Sequence, residues 1–570
     1  MNKFAIKHTP MSEDAHGINE RQVVIRIRTA RNDIKQCRIF FGDRACRQTP
    51  VIFSSASMAC VLWDEYFDYY EVILTDKYKR LCYYFELSDN QETLYYYGDL
   101  FTKELVDDRS EYYQLPYNHR ADIVAPPSWA QDAVIYNIFP DSFATQKGSI
   151  SQIPIEKPFK NTVTKGKLGG TIKGITQNVE YLKDLGVNAI YINPIFVAGE
   201  YHKYDLLDYM HIDPVFGTDN DFKELVKVYH QNGLKVIIDG VFNHCGWKFF
   251  AFEDVVKNGK SSVYADWFYK LEYPVIRPED MDEYPSYECF AYERMMPKLN
   301  TQNPQVIEYF TNVCAHWISE YDIDGWRLDV ASEVNTMFWR SFMQTAKKLK
   351  PDAIMIGEVW ETARYWLDGT IFDSTMNYDF RKHARRFFAE KSIDAQQFQT
   401  RVANMLMRYR KNTVYAQLNL LDSHDVSRFL SLCGEDVQRF KAAVLFQMTF
   451  VGMPSVFYGD ELGISGIIED DYRHPMPWGK NHELYAFYKA AIALRMEHSA
   501  LRRGNFATLQ ADKNSGLYAF SRTDNNETIY IAINMQKAEE LPEIFADKEF
   551  LWQCGLENNT LNENGFIIAK

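Results

Sequence analysis

The chain has 570 residues with 46% hydrophobic content and a net charge of −14, enough apolar material for large cores and against global disorder. A pI near 5.5 argues against a broad phosphate-binding surface and so against nucleic acid as a partner. No stretch approaches the roughly 18 consecutive apolar residues of a membrane span, and the N-terminus lacks the apolar core of a secretory signal.

Nine cysteines, an odd number with no CxxC pair, predict reduced thiols in a cytoplasm rather than a disulfide framework or a zinc site. The length predicts roughly three or four domains.

Residues 1–124 read as all-β. "RQVVIRIRTA" alternates, and "YYEVILT", "RLCYYFEL" and "TLYYYG" follow at short spacing with polar turns between. Short strands with regular turn signals predict an N-terminal β-sandwich. "APPSWA", residues 125–130, is the linker, since paired prolines end regular structure.

From about residue 131 the texture changes. "AVIYNIF", "VNAIYI", "LKVIID", "DGWRLDV", "AIMIGEV", "VYAQLNLL" and "PSVFYG" are strand-like runs, separated by helical stretches such as "TIKGITQNVEYLKDLG" and "DNDFKELVKVYHQNG". Nearly continuous apolar strands are those of a parallel sheet covered on both faces. Repeated β-then-α units predict an α/β fold of the (β/α)8 TIM-barrel type over 128–499. An open doubly wound sheet is the alternative, weakened by the absence of a Gly-rich dinucleotide fingerprint after the first strand. The excursion over 243–300, rich in aromatics and charge, is too long for a plain loop and predicts an inserted B subdomain. From 500 to 570, segments such as "GLYAFSR" and "TIYIAIN" predict a C-terminal antiparallel β domain.

Charge sits where these strands end. In "DGWRLDV" alternation places Arg327 and Asp329 on one face and Trp326 and Leu328 on the other. Glu358 ends "IMIGEVW", His424 and Asp425 follow "AQLNLLDSHD", and Asp239 ends "KVIID" with Asn243 and His244 beyond it. One such residue is an ordinary loop cap. Several converging on the C-terminal mouth of a barrel make a polar cluster that capping does not explain. Two carboxylates flanking one bond are the equipment of glycoside hydrolysis, and a neighbouring arginine favours the ionised form of the attacking one. Aromatics at 15% of the chain suit sugar stacking as well as ordinary core packing. Metal binding is the competing use of the carboxylates, but no zincin-type helix motif is present.

"DGVFNH", "GWRLDV", "GEVW" and "LDSHD" resemble, in order, the four motif regions of the α-amylase superfamily, family 13 of the glycoside hydrolases. "MPKLN" at 296–300, "HKYDLLDYMHIDPVFGT" at 202–218 and "GMPSVFYGDELG" at 452–463 are similar to the cyclomaltodextrinase, neopullulanase and maltogenic amylase subfamily. The N-terminal sandwich resembles the starch-binding-like module in front of those barrels.

The resemblance implies a retaining mechanism, with Asp329 as nucleophile, Glu358 as general acid and then base, and Asp425 stabilising the distorted ring. It implies that His244 and His424 bond hydroxyls of the −1 sugar, that Tyr204 beside His202 stacks on it, and that Arg327 supports the nucleophile. It places Trp360 on the acceptor side, Glu333 in acceptor handling and Arg473 at the non-reducing side, with Asp239 as structural support. It further implies a homodimer through the N-terminal domain, a narrowed cleft, and α-glucan oligosaccharides and cyclodextrins as substrates.

Two departures stand out. "VASE" has Ser332 where the subfamily carries Asn, which puts the balance of hydrolysis and transfer in question. "FATQKGSISQ" and "GGTIKG" place Lys147 and Thr171 where acidic calcium ligands are usual. Calcium needs six to eight oxygens, so this calcium site is expected to be lost and no cofactor required. The rival readings are an α-glucosidase or oligo-1,6-glucosidase, in which the sandwich is not expected, and a non-catalytic glucan-binding protein, in which one of the three acids is expected to be missing.

Overall fold

The computed structural model describes residues 1–75, 79–150, 168–280, 282–480 and 482–570. The chain folds as two compact units, one of Pro126–Arg385 and Ala416–Glu497, the other of Met1–Ala125, Arg386–Tyr415 and His498–Lys570.

The first unit is the barrel. Its strands are β1 (Ile135–Ile138), β2 (Ala189–Ile192), β3 (Lys235–Val241), β4 (Gly325–Asp329), β5 (Ile354–Gly357), β6 (Ser374–Thr375), β7 (Leu418–Leu420) and β8 (Met453–Phe457). They form one parallel sheet in the order β6-β5-β4-β3-β2-β1-β8-β7. A parallel bridge between Met376 and Leu418 joins the two ends and closes it. The sequence reading found seven of the eight strands. It missed β6, whose two residues are too few to show a period.

Nearly every residue of these strands is buried, as a barrel core under a ring of helices requires. On β4 the alternation works as expected: the Trp326 ring packs outward on Phe242 and Phe342, each 5.7 Å away. The surrounding helices begin with side-chain caps. Thr218 and Asp221 make a reciprocal capping box for Asp219–Gln231, Asn303 caps Pro304–Tyr321, and Asn335 caps Thr336–Leu349. At the N-terminal end of β4, buried Asp324 accepts from His230, Lys235 and the backbone of Val236. Between β3 and Pro304–Tyr321 the chain forms the helix Phe250–Asn258 and the hairpin of Cys289–Phe290 with Glu293–Pro297.

The second unit holds two sheet systems. In residues 1–125, a four-stranded antiparallel sheet centred on Gln22–Ala30 and Phe67–Thr75 faces a second sheet centred on Gln36–Asp43 and Leu81–Ser88. Val23, Ile25 and Ile27 of one sheet meet Ile39, Tyr83 and Phe85 of the other in a common core, which is a β-sandwich. Residues 505–569 form a six-stranded antiparallel sheet. The helix Ala395–Met407 belongs to this unit as well. Its buried Gln399 donates to the carbonyl of Trp63 and accepts from the hydroxyls of Thr508 and Tyr518, each at 2.7 Å. All nine cysteines are free thiols. No helix among the described residues is long and apolar enough to cross a membrane.

Candidate active site

Strand β4 ends in Asp329, and its neighbours β3 and β5 bring Asp239 and Glu358 alongside. Asp239 is paired in register with Arg327. Because side chains alternate, Arg327 and Asp329 both turn into the barrel mouth. Arg327 is fully buried there and divides its guanidinium among three carboxylates. Nη1 lies 3.0 Å from Asp239 and 2.7 Å from Asp329, while Nη2 lies 2.8 Å from Glu358. Nε donates to the sulfur of Met376. Burying this charge is tolerable only because each face of the fork meets a partner.

The sequence pairs Arg327 with Asp329 and with Asp239 as its support, and does not bring Glu358 to it. The structure differs in that one cation serves both Asp329 and Glu358, so it cannot fully offset the burial of either. Burial pushes Asp329 well above the usual carboxylate range against the pull of Arg327. Burial likewise raises Glu358, and the nearby charge of Asp425 adds to it. Asp425 goes the other way: burial opposes its charge, but His424, Arg327 and Arg473 together outweigh it and hold the carboxyl ionised.

A cavity of about 670 Å³ opens over this cluster. Asp329, Glu358, Asp425, His202, Tyr204, His244, Glu333, Trp360 and Arg473 all reach its wall. Arg327 and His424 do not; both lie fully buried behind it. His424 stacks on Tyr204 at 5.3 Å with its ring nearly parallel. Its Nδ1 meets the side-chain amide of Asn193 at 2.9 Å, and its Nε2 lies 3.0 Å from Asp425. The Tyr204 hydroxyl donates to Asp239 at 3.0 Å, as does that of Tyr191 at 2.6 Å. Asp239 is thus the anchor of the layer beneath the cavity.

His244 stacks on Phe290 at 4.9 Å, and burial pushes its ring down to about 3, so it stands neutral. On one side of the cavity Trp360 lies flat on Tyr378, 3.8 Å between ring centres, and donates its Nε1–H to Glu358 Oε1 at 3.1 Å. Glu333 is held by Lys298 of the "MPKLN" stretch at 2.6 Å, and Ser332 beside it lines the cavity. On another side Arg473 donates to Glu469 at 2.7 Å and to the Tyr201 hydroxyl at 2.8 Å.

Sequence reasoning passed over Asn193, Tyr191, Tyr201, Phe290, Glu469 and Val330. Tyr191 and Asn193 carried a usable signal, since they stand at the C-terminal end of β2 like the acids on β3 to β5. Phe290 and Glu469 lie in irregular stretches where no periodicity points inward.

The stretch expected to have lost calcium is held by protein groups. Gly148 N–H donates to the Asn178 side chain at 2.8 Å, and that amide donates to the carbonyl of Gln146 at 3.2 Å. Thr171 caps the helix Ile172–Gln177 by accepting from Gly174 N–H. Ser151 and Gln152 of that stretch lie outside the described residues. Among the described residues no cluster of three or more His, Cys, Asp or Glu could hold a metal ion.

Comparison with known proteins gives concordant matches. The catalytic domain of alpha amylase matches residues 137–480, and the N-terminal Ig-like domain of alpha amylase matches residues 1–119. A cyclomaltodextrinase of Geobacillus thermopakistaniensis (strain MAS1) is 41% identical over 550 residues, 95% of this chain and 93% of that protein. Neopullulanase 2 of Thermoactinomyces vulgaris is 41% identical over 538 residues, covering 93% and 90%. A solved structure of a cyclomaltodextrinase superposes over 100% of both chains with a TM-score of 0.89 and 35% identity.

Proposed function

The chain belongs to the α-amylase family of glycoside hydrolases, and on that premise we propose that it is a retaining α-glucan hydrolase. Its substrates are cyclomaltodextrins, maltooligosaccharides, pullulan and starch, cut at α-1,4 bonds. The observation that carries this reading is the single guanidinium of Arg327 spanning Asp329 and Glu358. It holds the two carboxyls side by side at one cavity wall, the close pairing a covalent intermediate needs.

In this reading Asp329 attacks the anomeric carbon while Glu358 gives its proton to the departing glycosidic oxygen. The bond to that oxygen breaks and a covalent glycosyl-enzyme forms. Glu358, now ionised, takes a proton from water, whose oxygen displaces Asp329 and restores the original anomeric configuration. A sugar hydroxyl in place of water gives transfer. Asp425, kept ionised, faces the positive charge that develops on the ring. Tyr204 offers its ring to the −1 sugar; His202, His244 and His424 serve its hydroxyls, the last through Asp425 and Tyr204. Trp360 and Glu333 handle the acceptor side and Arg473 the non-reducing side.

The reading extends to three further properties. No calcium is required, since the amide of Asn178 and the hydroxyl of Thr171 already tie the loop and helix by hydrogen bonds. The protein works in the cytoplasm, which suits nine free thiols. It acts as a homodimer through residues 1–124, as the subfamily resemblance implies; sedimentation at twice 66.7 kDa would bear this out and sedimentation at 66.7 kDa would not.

The test is product analysis. The pure protein is incubated separately with γ-cyclodextrin, pullulan and soluble starch, and products are resolved over time with their anomeric configuration. Fast ring opening to maltose and glucose in the α configuration, panose from pullulan and slow starch loss are expected. The same chromatograms read α-1,6 cleavage and transfer. β-Configured products would overturn retention, and no product from any substrate would favour a glucan-binding protein.

A further inference from the structure

Just past Asp329 the backbone does something costly. Val330 has φ 44° and ψ 42°, in the left-handed region. Among the described residues it is the only β-branched side chain there. Such a residue crowds its own backbone in that conformation and holds it only when the surroundings impose it. Here they do. The indole of Trp339 donates to the carbonyl of Ala331 at 2.9 Å, and Glu333 N–H donates to the carbonyl of Val330 at 3.1 Å.

The kink changes the ladder between β4 and β5. Glu358 N–H donates to the carbonyl of Leu328 at 2.8 Å, as a parallel pair requires. The next bond should run from Val330 N–H to the carbonyl of Glu358. Instead Ala331 N–H takes that place at 3.1 Å. Two residues therefore oppose one, which is the definition of a bulge, a device that re-aims groups beside active sites. The N–H released by the bulge turns to the Glu358 side chain and donates to Oε2 at 2.8 Å. The other oxygen, Oε1, is occupied by Arg327 and Trp360.

We propose that Val330 is a positioning residue: its bulge diverts one peptide N–H from the sheet and dedicates it to the Glu358 carboxylate, locking the acid to the strand that carries the nucleophile. This rests on the reading of Glu358 as general acid and base. The donating N–H belongs to the peptide bond that joins Asp329 to Val330, so one rigid planar unit links the backbone of Asp329 to the side chain of Glu358. Val330 also supplies a donor that stabilises the ionised form, which Glu358 must adopt between the two steps.

The test is an amide-to-ester replacement at Val330, made by incorporating α-hydroxyisovalerate, which removes the N–H and keeps the side chain. Loss of a donor to the charged form favours the protonated acid, so the alkaline limb of kcat/KM on γ-cyclodextrin should move up by about one pH unit. kcat should fall on that substrate and fall less on an aryl α-maltoside whose leaving group needs no proton. Val330→Gly keeps the N–H and tolerates the left-handed conformation, so its alkaline limb should stay with the parent's. An unmoved limb in the ester variant, equal losses on both substrates, or an equally displaced limb in Val330→Gly would each overturn the proposal. Glu358→Gln separates the two readings. If it turns over γ-cyclodextrin normally, the acid itself is misassigned; if it is inactive while the ester variant keeps its limb, only the role of Val330 fails.

Discussion

Arg327 reaches Glu358 as closely as it reaches Asp329, with one nitrogen of its guanidinium given to each at 2.8 and 2.7 Å. The pair of acids is therefore spaced by the width of one side chain. A lysine has the charge but gathers its donors on one compact ammonium, without the planar fork that meets each acid with its own nitrogen at these two places. Arg327→Lys should lower kcat/KM roughly hundredfold or more while the fold persists. Steady-state kinetics beside a circular dichroism spectrum check this; a loss under tenfold would show that the shared contact is dispensable.

The two raised carboxyls set the pH profile. Asp329 must be ionised to attack, so the rate climbs as it loses its proton. Glu358 must be protonated to donate, so the rate falls as it loses its own. Burial raises both, and both limbs should stand above the ordinary carboxylate range. A profile of kcat/KM against pH reads this directly. An alkaline limb at about pH 4.3, where a free Glu titrates, would contradict it.

Asp329→Asn should abolish turnover, by roughly ten-thousandfold or more, because no nucleophile remains. Its stability should move in the other direction. A folded pKa raised above the unfolded one means that the charged carboxylate opposes folding at neutral pH. The amide removes that penalty, so the melting temperature should stay level or rise. A clear drop in melting temperature would show that Arg327 needs the Asp329 charge more than burial resists it.

Chelation should do little. With the Gln146–Gly148 turn tied to Asn178, treatment with EDTA should leave activity and melting temperature nearly unchanged. A large fall in either, reversed by added calcium, would restore the metal site to this fold.

Glu71, in the sandwich, is buried between Arg26 at 2.8 Å and Lys411 at 2.6 Å. Burial opposes its charge, but these two cations prevail and pull its carboxyl down to about 2. A depressed folded pKa gives stability that is present above the unfolded value and lost as pH falls toward the folded one. Glu71→Gln should cost about 3 kcal/mol at pH 7, with the difference shrinking steadily as the pH is lowered toward 2. Chemical denaturation of both forms across that window checks the size and the sign.

Much of this was legible in the chain. Seven barrel strands announced themselves as apolar runs, and the acids on β3, β4 and β5 fell where strand-end logic puts them. Asp329, Glu358 and Asp425 stood out because charge at the end of a buried strand is expensive and therefore informative, whereas His202, Tyr204, Glu333, Trp360 and Arg473 of the same cavity wall followed only from the family resemblance. Other features left no such trace. β6 is too short to have a period. Val330 looks like any valine in "RLDV", since nothing in its side chain announces a left-handed backbone. The sharing of Arg327 between two acids depends on β5 lying beside β4, a fact of pairing and not of composition. Residues 386–415 read as one more piece of the barrel because they lie between its strands in sequence, yet Gln399 is buried against Trp63, Thr508 and Tyr518.

That last helix bears on how the molecule can be made. Translation delivers residues 1–125 first, but the groups that satisfy their unit arrive near residue 400 and again beyond 498. The sandwich has a core of its own, but the Trp63 carbonyl and the Glu71 carboxylate meet Gln399 and Lys411 only once those later residues are in place. For the engineer the same threading means that no single cut yields a free barrel. Removing residues 1–124 would strip Gln399 of the Trp63 carbonyl and Lys411 of Glu71. A clean truncation has to rebuild the helix Ala395–Met407 as well.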